Sequence, residues 1–176
     1  MNLPNKLSIL RVLCIPLIVI IMLIPDRNWQ WAALALFVLA SFTDFLDGHI
    51  ARKYQLITDF GKFIDPVADK LLVLSTLIML IHRGLMPAWA VVIVLARELS
   101  VDGLRLIAVT KGKVIAAGPL GKIKTTLQMC MIIWILALQL HVFSHWTGIT
   151  LFVLAIGMTL VSGVDYFVRN HNVFEF

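Results

Sequence analysis

The stretch DFLDGHIARKYQLITDFGKFIDPVAD, from Asp44 to Asp69, is the polar interruption around which the rest of the chain is arranged. An apolar run, Trp29–Leu46, leads into it and another, Val67–Ile81, leads out. Asp44 and Asp47 stand at i, i+3, and Asp65 and Asp69 at i, i+4, so each pair occupies one face of a helix. Two consecutive antiparallel helices joined by a polar turn can bring such faces together at a single depth. Four carboxylates gathered there repel one another unless cations cancel them. Hard oxygen donors with no Cys among them suit Mg²⁺ or Mn²⁺ rather than zinc. Two divalent ions would neutralise the four charges, and two-metal sites of this kind clamp phosphoryl groups during displacement. Gly48 follows Asp47 directly and Gly61 precedes Asp65 by one turn, positions where a missing side chain lets backbone approach a bulky ligand. Arg52, one turn beyond Gly48, offers a guanidinium suited to phosphate oxygen. The competing reading is a buried ion network in which Arg52, Lys53, Lys62 and Lys70 pair the acids without any chemistry. His49, within the stretch, reads as a solvated loop residue.

Outward from that stretch the chain is strongly apolar. It has 176 residues, 60% of them hydrophobic and only 14% charged, with a mean hydropathy of +0.94. Soluble domains lie nearer one half apolar and one quarter charged, so ordinary globular and disordered classes are excluded. Cys14 and Cys130 lie inside apolar runs and provide no disulfide framework. A bilayer core of roughly 30 Å needs about 20 apolar residues per helical crossing. Six runs meet that description: Leu7–Ile24, Trp29–Leu46, Val67–Ile81, Pro87–Ala108, Ile123–Leu140 and Trp146–Val168. They predict an all-α bundle of six transmembrane helices forming a single domain over residues 1–176. Trp29, Trp31, Trp89 and Trp146 fall near run ends, where amphipathic rings favour the headgroup layer. The first run reads as a retained helix, since no small-residue cleavage pattern follows it.

Basic residues orient the bundle. Lys6, Arg11, Arg52, Lys53, Lys62, Arg105, Lys111, Lys113, Lys122, Lys124 and Arg169 fall on one side, against Arg27 and Arg83 on the other. The positive-inside rule therefore puts both termini, and the acid-rich stretch, on the cytoplasmic face of the cell membrane. Seven acids nonetheless lie in or at the ends of the spans: Asp44, Asp47, Asp65, Asp69, Glu98, Asp102 and Asp165. A charge near the bilayer centre costs about 2.5–3.5 kcal/mol on insertion scales, so acids kept there are functional candidates. Asp165 reads as a local ion pair with Arg169, one turn on. His82, His141, His145 and His171 lack metal-ligand spacing and read as interfacial.

Taken whole, residues 44–69 read D-x2-D-G-x2-A-R-x8-G-x3-D-x3-D, with Ala51 and Arg52 as the A-R. This resembles the signature of the CDP-alcohol phosphatidyltransferase family, with no motif position missing. LPNKLSILRV (Leu3–Val12), DPVADKLL (Asp65–Leu72), RELSVDGLR (Arg97–Arg105) and LGKIKT (Leu120–Thr125) resemble the bacterial branch that uses sn-glycerol 3-phosphate. The resemblance implies two metal ions on Asp44, Asp47, Asp65 and Asp69, with Asp69 also the base that accepts the acceptor hydroxyl proton. It implies that Gly48, Arg52, Thr58 and Gly61 contact CDP-diacylglycerol, with Asn5 a further contact. It also implies a homodimer and transfer of the phosphatidyl group with release of CMP.

A second cationic set fits a phosphorylated acceptor. Arg97 and Arg105 lie on the fourth helix, and Lys122 and Lys124 open the fifth; guanidinium forks bind phosphate oxygens bidentately. Glu98 and Asp102 read as orienters of the arginines, although pairing with these acids alone would also account for Arg97 and Arg105. Two alternatives stay open. The acceptor could be phosphatidylglycerol or an inositol phosphate, or the acids could serve a divalent-metal or proton transporter. Transporter sites favour the bilayer midplane and broken helices, whereas these acids hug one face beside Gly and Arg. No nucleic-acid module is present.

Overall fold

A computed structural model describes the backbone of residues 3–53, 59–113, 115, 116 and 118–173, and the side chains of the same residues less 3–7, 44–53, 59, 60, 62 and 63. Among the described residues six α-helices follow one another: α1 Leu3–Leu23, α2 Arg27–Lys53, α3 Asp59–His82, α4 Ala88–Thr110, α5 Pro119–Leu138 and α6 Trp146–Arg169. A short 3₁₀ turn, His171–Val173, closes the series, and there is no strand among the described residues.

Local chemistry sets the helix ends. Asp26 Oδ1 accepts from the Asn28 amide at 2.8 Å and caps the start of α2. Gly84, at φ +67°, supplies the left-handed residue that ends α3, with its amide on the Ile81 carbonyl at 2.8 Å. Pro119 opens α5 as its first residue, where a missing N–H costs nothing. His145 caps α6 by accepting from the Thr147 amide.

The chain forms two compact units. Unit 1 holds residues 1–85 and 132–140; unit 2 holds residues 86–131 and 141–176. Helix α5 therefore contributes its first part to unit 2 and its last turns to unit 1. In unit 1, α1 packs against both α2 and α3. Its buried face runs Ser8, Arg11, Ile15, Ile18 and Met22, a spacing of alternating threes and fours. Arg83 Nη1 donates to the carbonyls of Met22 and Ile24 at the far end of α1, so α1 and α3 run parallel. In unit 2, α4 and α6 also run side by side in the same direction. Arg97 meets Ser162, Arg105 meets Tyr166 and Lys111 meets the Val173 carbonyl in succession. Gln128 Nε2 of α5 donates to Thr159 Oγ1 of α6 at 3.0 Å, an interhelical bond between buried groups.

Outside these stripes the surfaces are oily. On α6, Val153, Leu160, Val161, Val164 and Val168 are all exposed, and Leu13, Val92 and Leu106 show the same on α1 and α4. Among the described residues two helices, α5 and α6, are long and apolar enough to cross a membrane. The apolar lengths of α3 and α4 are interrupted by Asp65, Asp69 and Lys70, and by Arg97, Glu98, Asp102 and Arg105.

Two sequence expectations need correction. The polar turn expected between the runs Trp29–Leu46 and Val67–Ile81 does not fill that interval: α2 continues to Lys53 and α3 begins at Asp59, so Gly48, His49, Arg52 and Gly61 are helical. Similarly, α1 and α5 begin before their apolar runs, at Leu3 and Pro119, and α5 ends at Leu138. The extensions of α1, α2, α3 and α5 beyond their apolar runs share a cause. Hydropathy marks the length that hydrocarbon accepts, whereas the i→i−4 hydrogen-bond ladder continues into polar sequence until a cap or a glycine ends it.

Candidate active site

Helix α3 places Asp65 and Asp69 one turn apart, and both are half-buried. Gly61 sits a further turn back and is buried. Across the helix pair, Ser8 Oγ of α1 donates to Asp65 Oδ1 at 2.5 Å. One turn further along α1, the Arg11 side chain is 1% exposed, the largest fully buried side chain among the described residues. Burying a guanidinium is costly unless it is paired, so its place on the same α1 stripe as Ser8 marks a polar end to an otherwise aliphatic seam. Ser8 and Arg11 are therefore additions to the sequence-derived set. Both continue the spacing of Ile15, Ile18 and Met22, a signal that reading Arg11 only as an orientation charge passes over.

Helix α2 carries Asp44, Asp47, Gly48 and Arg52 on one continuous helical backbone. Their side chains, and that of Asn5 on α1, lie outside the described residues, as does Thr58 entirely. Among the described residues no three acid, His or Cys side chains gather as a metal site.

The cationic set divides. Glu98 of α4 is buried, with Arg97 Nη1 at 3.0 Å and Lys124 Nζ of α5 at 2.5 Å on the same oxygen, Oε1. Arg97 Nη2 also donates to Ser162 Oγ at 3.3 Å, while its Nε is buried with no hydrogen-bond partner among the described residues. Glycines clear the space around it. A Cβ on Gly163 would lie 3.2 Å from Arg97 Cγ, and one on Gly121 would lie 3.6 Å from Nη2. Two cations thus converge on one carboxylate oxygen in a buried cluster. Arg105 stands elsewhere, two turns on and about 12 Å further along the axis of α4. Its Nε donates to Tyr166 Oη at 3.0 Å and its guanidinium carbon lies 5.5 Å from that ring's centre. Tyr166 is held by the buried cluster Val101, Leu104, Ala108 and Val173. Lys122 is exposed; residues two apart on a helix do not share a face, and it is not brought to Glu98 with Lys124. Asp165 and Arg169 pair at 2.7 Å on the surface, as their spacing suggests.

Helical aspartate pairs in one unit and a buried cluster of Arg97, Glu98 and Lys124 in the other suit an enzyme that handles phosphates at a membrane. Residues 1–161 match the CDP-alcohol phosphatidyltransferase family, and the chain belongs to it. A Bacillus subtilis protein named CDP-diacylglycerol–glycerol-3-phosphate 3-phosphatidyltransferase is 46% identical over 96% of this chain and 95% of its own length. A protein of the same name from Escherichia coli K12 is 34% identical over 94% of this chain and 92% of its own. A Mycobacterium tuberculosis protein named probable phosphatidylglycerophosphate synthase is 39% identical over 96% and 81%.

Proposed function

We propose that this chain transfers the phosphatidyl group of CDP-diacylglycerol to sn-glycerol 3-phosphate, giving phosphatidylglycerophosphate and CMP. The observation that carries the reading is the agreement between the eight-position aspartate motif, complete from Asp44 to Asp69, and relatives of nearly full length whose names state that reaction.

Asp44, Asp47, Asp65 and Asp69 would hold two divalent ions, Mg²⁺ or Mn²⁺. The donors fit: the described pair is half-buried, all-oxygen, and oriented in part by a neutral hydroxyl from Ser8. Bound there, the ions supply positive charge to the pyrophosphate oxygens and to the departing CMP. Gly48, Arg52, Thr58 and Gly61, with Asn5, bind and orient the cytidine diphosphate part. The acceptor hydroxyl attacks the β-phosphorus in line, its O–P bond forming as the bond to the CMP oxygen breaks. Asp69 takes the hydroxyl proton. An aspartate in water, which titrates at about pH 3.9, is a weak base for an alcohol. The proton therefore moves late, as the hydroxyl becomes acidic on bonding to phosphorus. Arg97 and Lys124, with Glu98 setting their positions, bind the acceptor phosphate, and Arg105 and Lys122 extend the cationic path. The whole chain acts as one six-span domain of the cytoplasmic membrane, with termini and chemistry on the cytoplasmic side, and as a homodimer, as the family resemblance implies.

Purified protein in detergent, given CDP-diacylglycerol and Mg²⁺, should release CMP when sn-glycerol 3-phosphate is added. CMP release with phosphatidylglycerol or an inositol phosphate instead would reassign the acceptor. Divalent-ion flux in proteoliposomes without CMP release would replace the enzyme with a transporter.

A further inference from the structure

Arg27 and Arg83 are the two basic residues that the orientation signal leaves on the face opposite the acids. They come from different connections, α1–α2 and α3–α4, yet both line one cleft of unit 1, with a volume of about 350 Å³. Small-ligand sites run from roughly 300 to 1,000 Å³. Pro25, Leu85 and Leu138 supply apolar walls, and Gln139 completes a polar side. Gln139 ends α5 at φ +55°, a left-handed conformation uncommon for a side chain of its size. Asp65 lies toward the other end of α3, seventeen residues before His82. At 1.5 Å per residue that separation is roughly 25 Å, close to a hydrocarbon core's thickness.

The charges in this cleft are only partly used. Arg83 Nη1 donates to the Ile24 carbonyl at 2.9 Å and to that of Met22 at 3.3 Å, which fixes the guanidinium plane. Among the described residues its Nε and Nη2 make no hydrogen bond, and neither does the Arg27 side chain. The nearby carboxylate, Asp26, accepts from the Asn28 amide at the start of α2 and does not line the cleft. Exposed Trp29 and Trp31 follow within the first turns of α2, the kind of residue that marks the headgroup layer. A cleft with two guanidiniums, no lining acid and apolar walls matches a ligand that is anionic at one end and apolar at the other.

We propose that the Arg27–Arg83 cleft binds the phosphodiester of an anionic phospholipid in the leaflet opposite the aspartate pairs. Arg83 presents the remaining edge of its fork to the phosphate oxygens, Arg27 adds the second charge, and the leucines meet the start of the acyl chains. The site is independent of the catalytic reading and uses none of its residues.

The test is native mass spectrometry and thermal melting of the full-length protein, with dioleoylphosphatidylglycerol titrated against dioleoylphosphatidylcholine. Wild type should retain one more phosphatidylglycerol than Arg27→Gln does, and phosphatidylglycerol should raise its melting temperature. Arg27→Gln, which breaks no bond among the described residues, should melt like wild type without added lipid, keep its activity, and bind that phosphatidylglycerol about tenfold more weakly. Arg83→Lys, which keeps a charge but loses the fork, should fall between the two. Equal retention of phosphatidylcholine, or an Arg27→Gln variant with unaltered lipid binding, overturns the proposal. Displacement of the lipid by millimolar inorganic phosphate also overturns it, by making the site one for free phosphate.

Discussion

In unit 1 the carboxylate of Asp65 meets a neutral hydroxyl, Ser8, whereas in unit 2 the carboxylate of Glu98 meets two cations, Arg97 and Lys124. Both acids sit on helices, Asp65 half-buried and Glu98 buried, but their neighbours differ. A carboxylate held by a neutral donor keeps its charge for a cation that arrives later. A carboxylate bracketed by two cations holds both of them in place. On the proposed function, the same residue type serves a cation in one unit and positions the partners of an anion in the other, and what faces it sets the difference. Removing one member of each arrangement should fail in a different kinetic parameter.

The largest effect is expected at the aspartates. Asp69→Asn keeps the size and removes both the charge and the proton-accepting oxygen, so turnover should fall by about 10³-fold or more. CMP release under saturating substrates measures it, and near-normal turnover in this variant would remove Asp69 from its role as base. Next comes Lys124→Gln. Glu98 would keep Arg97 as a partner, but the ammonium proposed to meet the acceptor phosphate is gone. A hydrogen bond to a charged group contributes about 1.5–3 kcal/mol, which corresponds to a rise of roughly 10- to 100-fold in the KM for sn-glycerol 3-phosphate. The KM for CDP-diacylglycerol should stay where it is. A change in the CDP-diacylglycerol KM alone would mean that the Glu98 cluster serves the other substrate.

Ser8→Ala probes the neutral side of the comparison. Losing a group that orients a metal-binding carboxylate commonly costs 10- to 100-fold in metal affinity or activity. The low end, about tenfold, is expected here because Asp65 stays anchored on α3. The loss should appear as a higher Mg²⁺ concentration for half-maximal activity, and Ser8→Thr, which restores a hydroxyl, should recover most of it. Equal Mg²⁺ requirements in wild type and Ser8→Ala would show that the bond merely joins α1 to α3.

How much of this is legible in the sequence follows the range of each interaction. The order of six helices, the one-turn spacing of Asp65 and Asp69 and the Asp165–Arg169 pair are local, and residues within a turn announce one another. The partners of Asp65 and Arg105 are not legible, because Ser8 lies 57 residues from Asp65 and Tyr166 lies 61 from Arg105. Nothing in the spacing of α4 says which α6 residue it meets. Arg11 reads as a cytoplasmic charge because hydropathy counts sign and position along the chain, not which face of α1 packs. Likewise, the helical extension of α2 to Lys53 is hidden because helix geometry and lipid solubility end at different residues.

Tyr166→Phe gives the finest test, since it alters one bond and little else. Tyr166 is 6% exposed among Val101, Leu104, Ala108 and Val173, and phenylalanine keeps the ring in that packing. The ring would still lie beneath the Arg105 guanidinium, whose carbon is 5.5 Å from its centre, so the cation–π contact survives. Only the 3.0 Å bond from Arg105 Nε to the phenol oxygen is lost. A net cost of about 0.5–1 kcal/mol corresponds to a rise of roughly two- to fivefold in the acceptor KM, with kcat little changed. Tyr166→Leu, which removes ring and hydroxyl together, should exceed that. If both variants leave the acceptor KM at the wild-type value, Arg105 is a structural tie between α4 and α6. The proposed acceptor-phosphate site then narrows to Arg97 and Lys124 around Glu98.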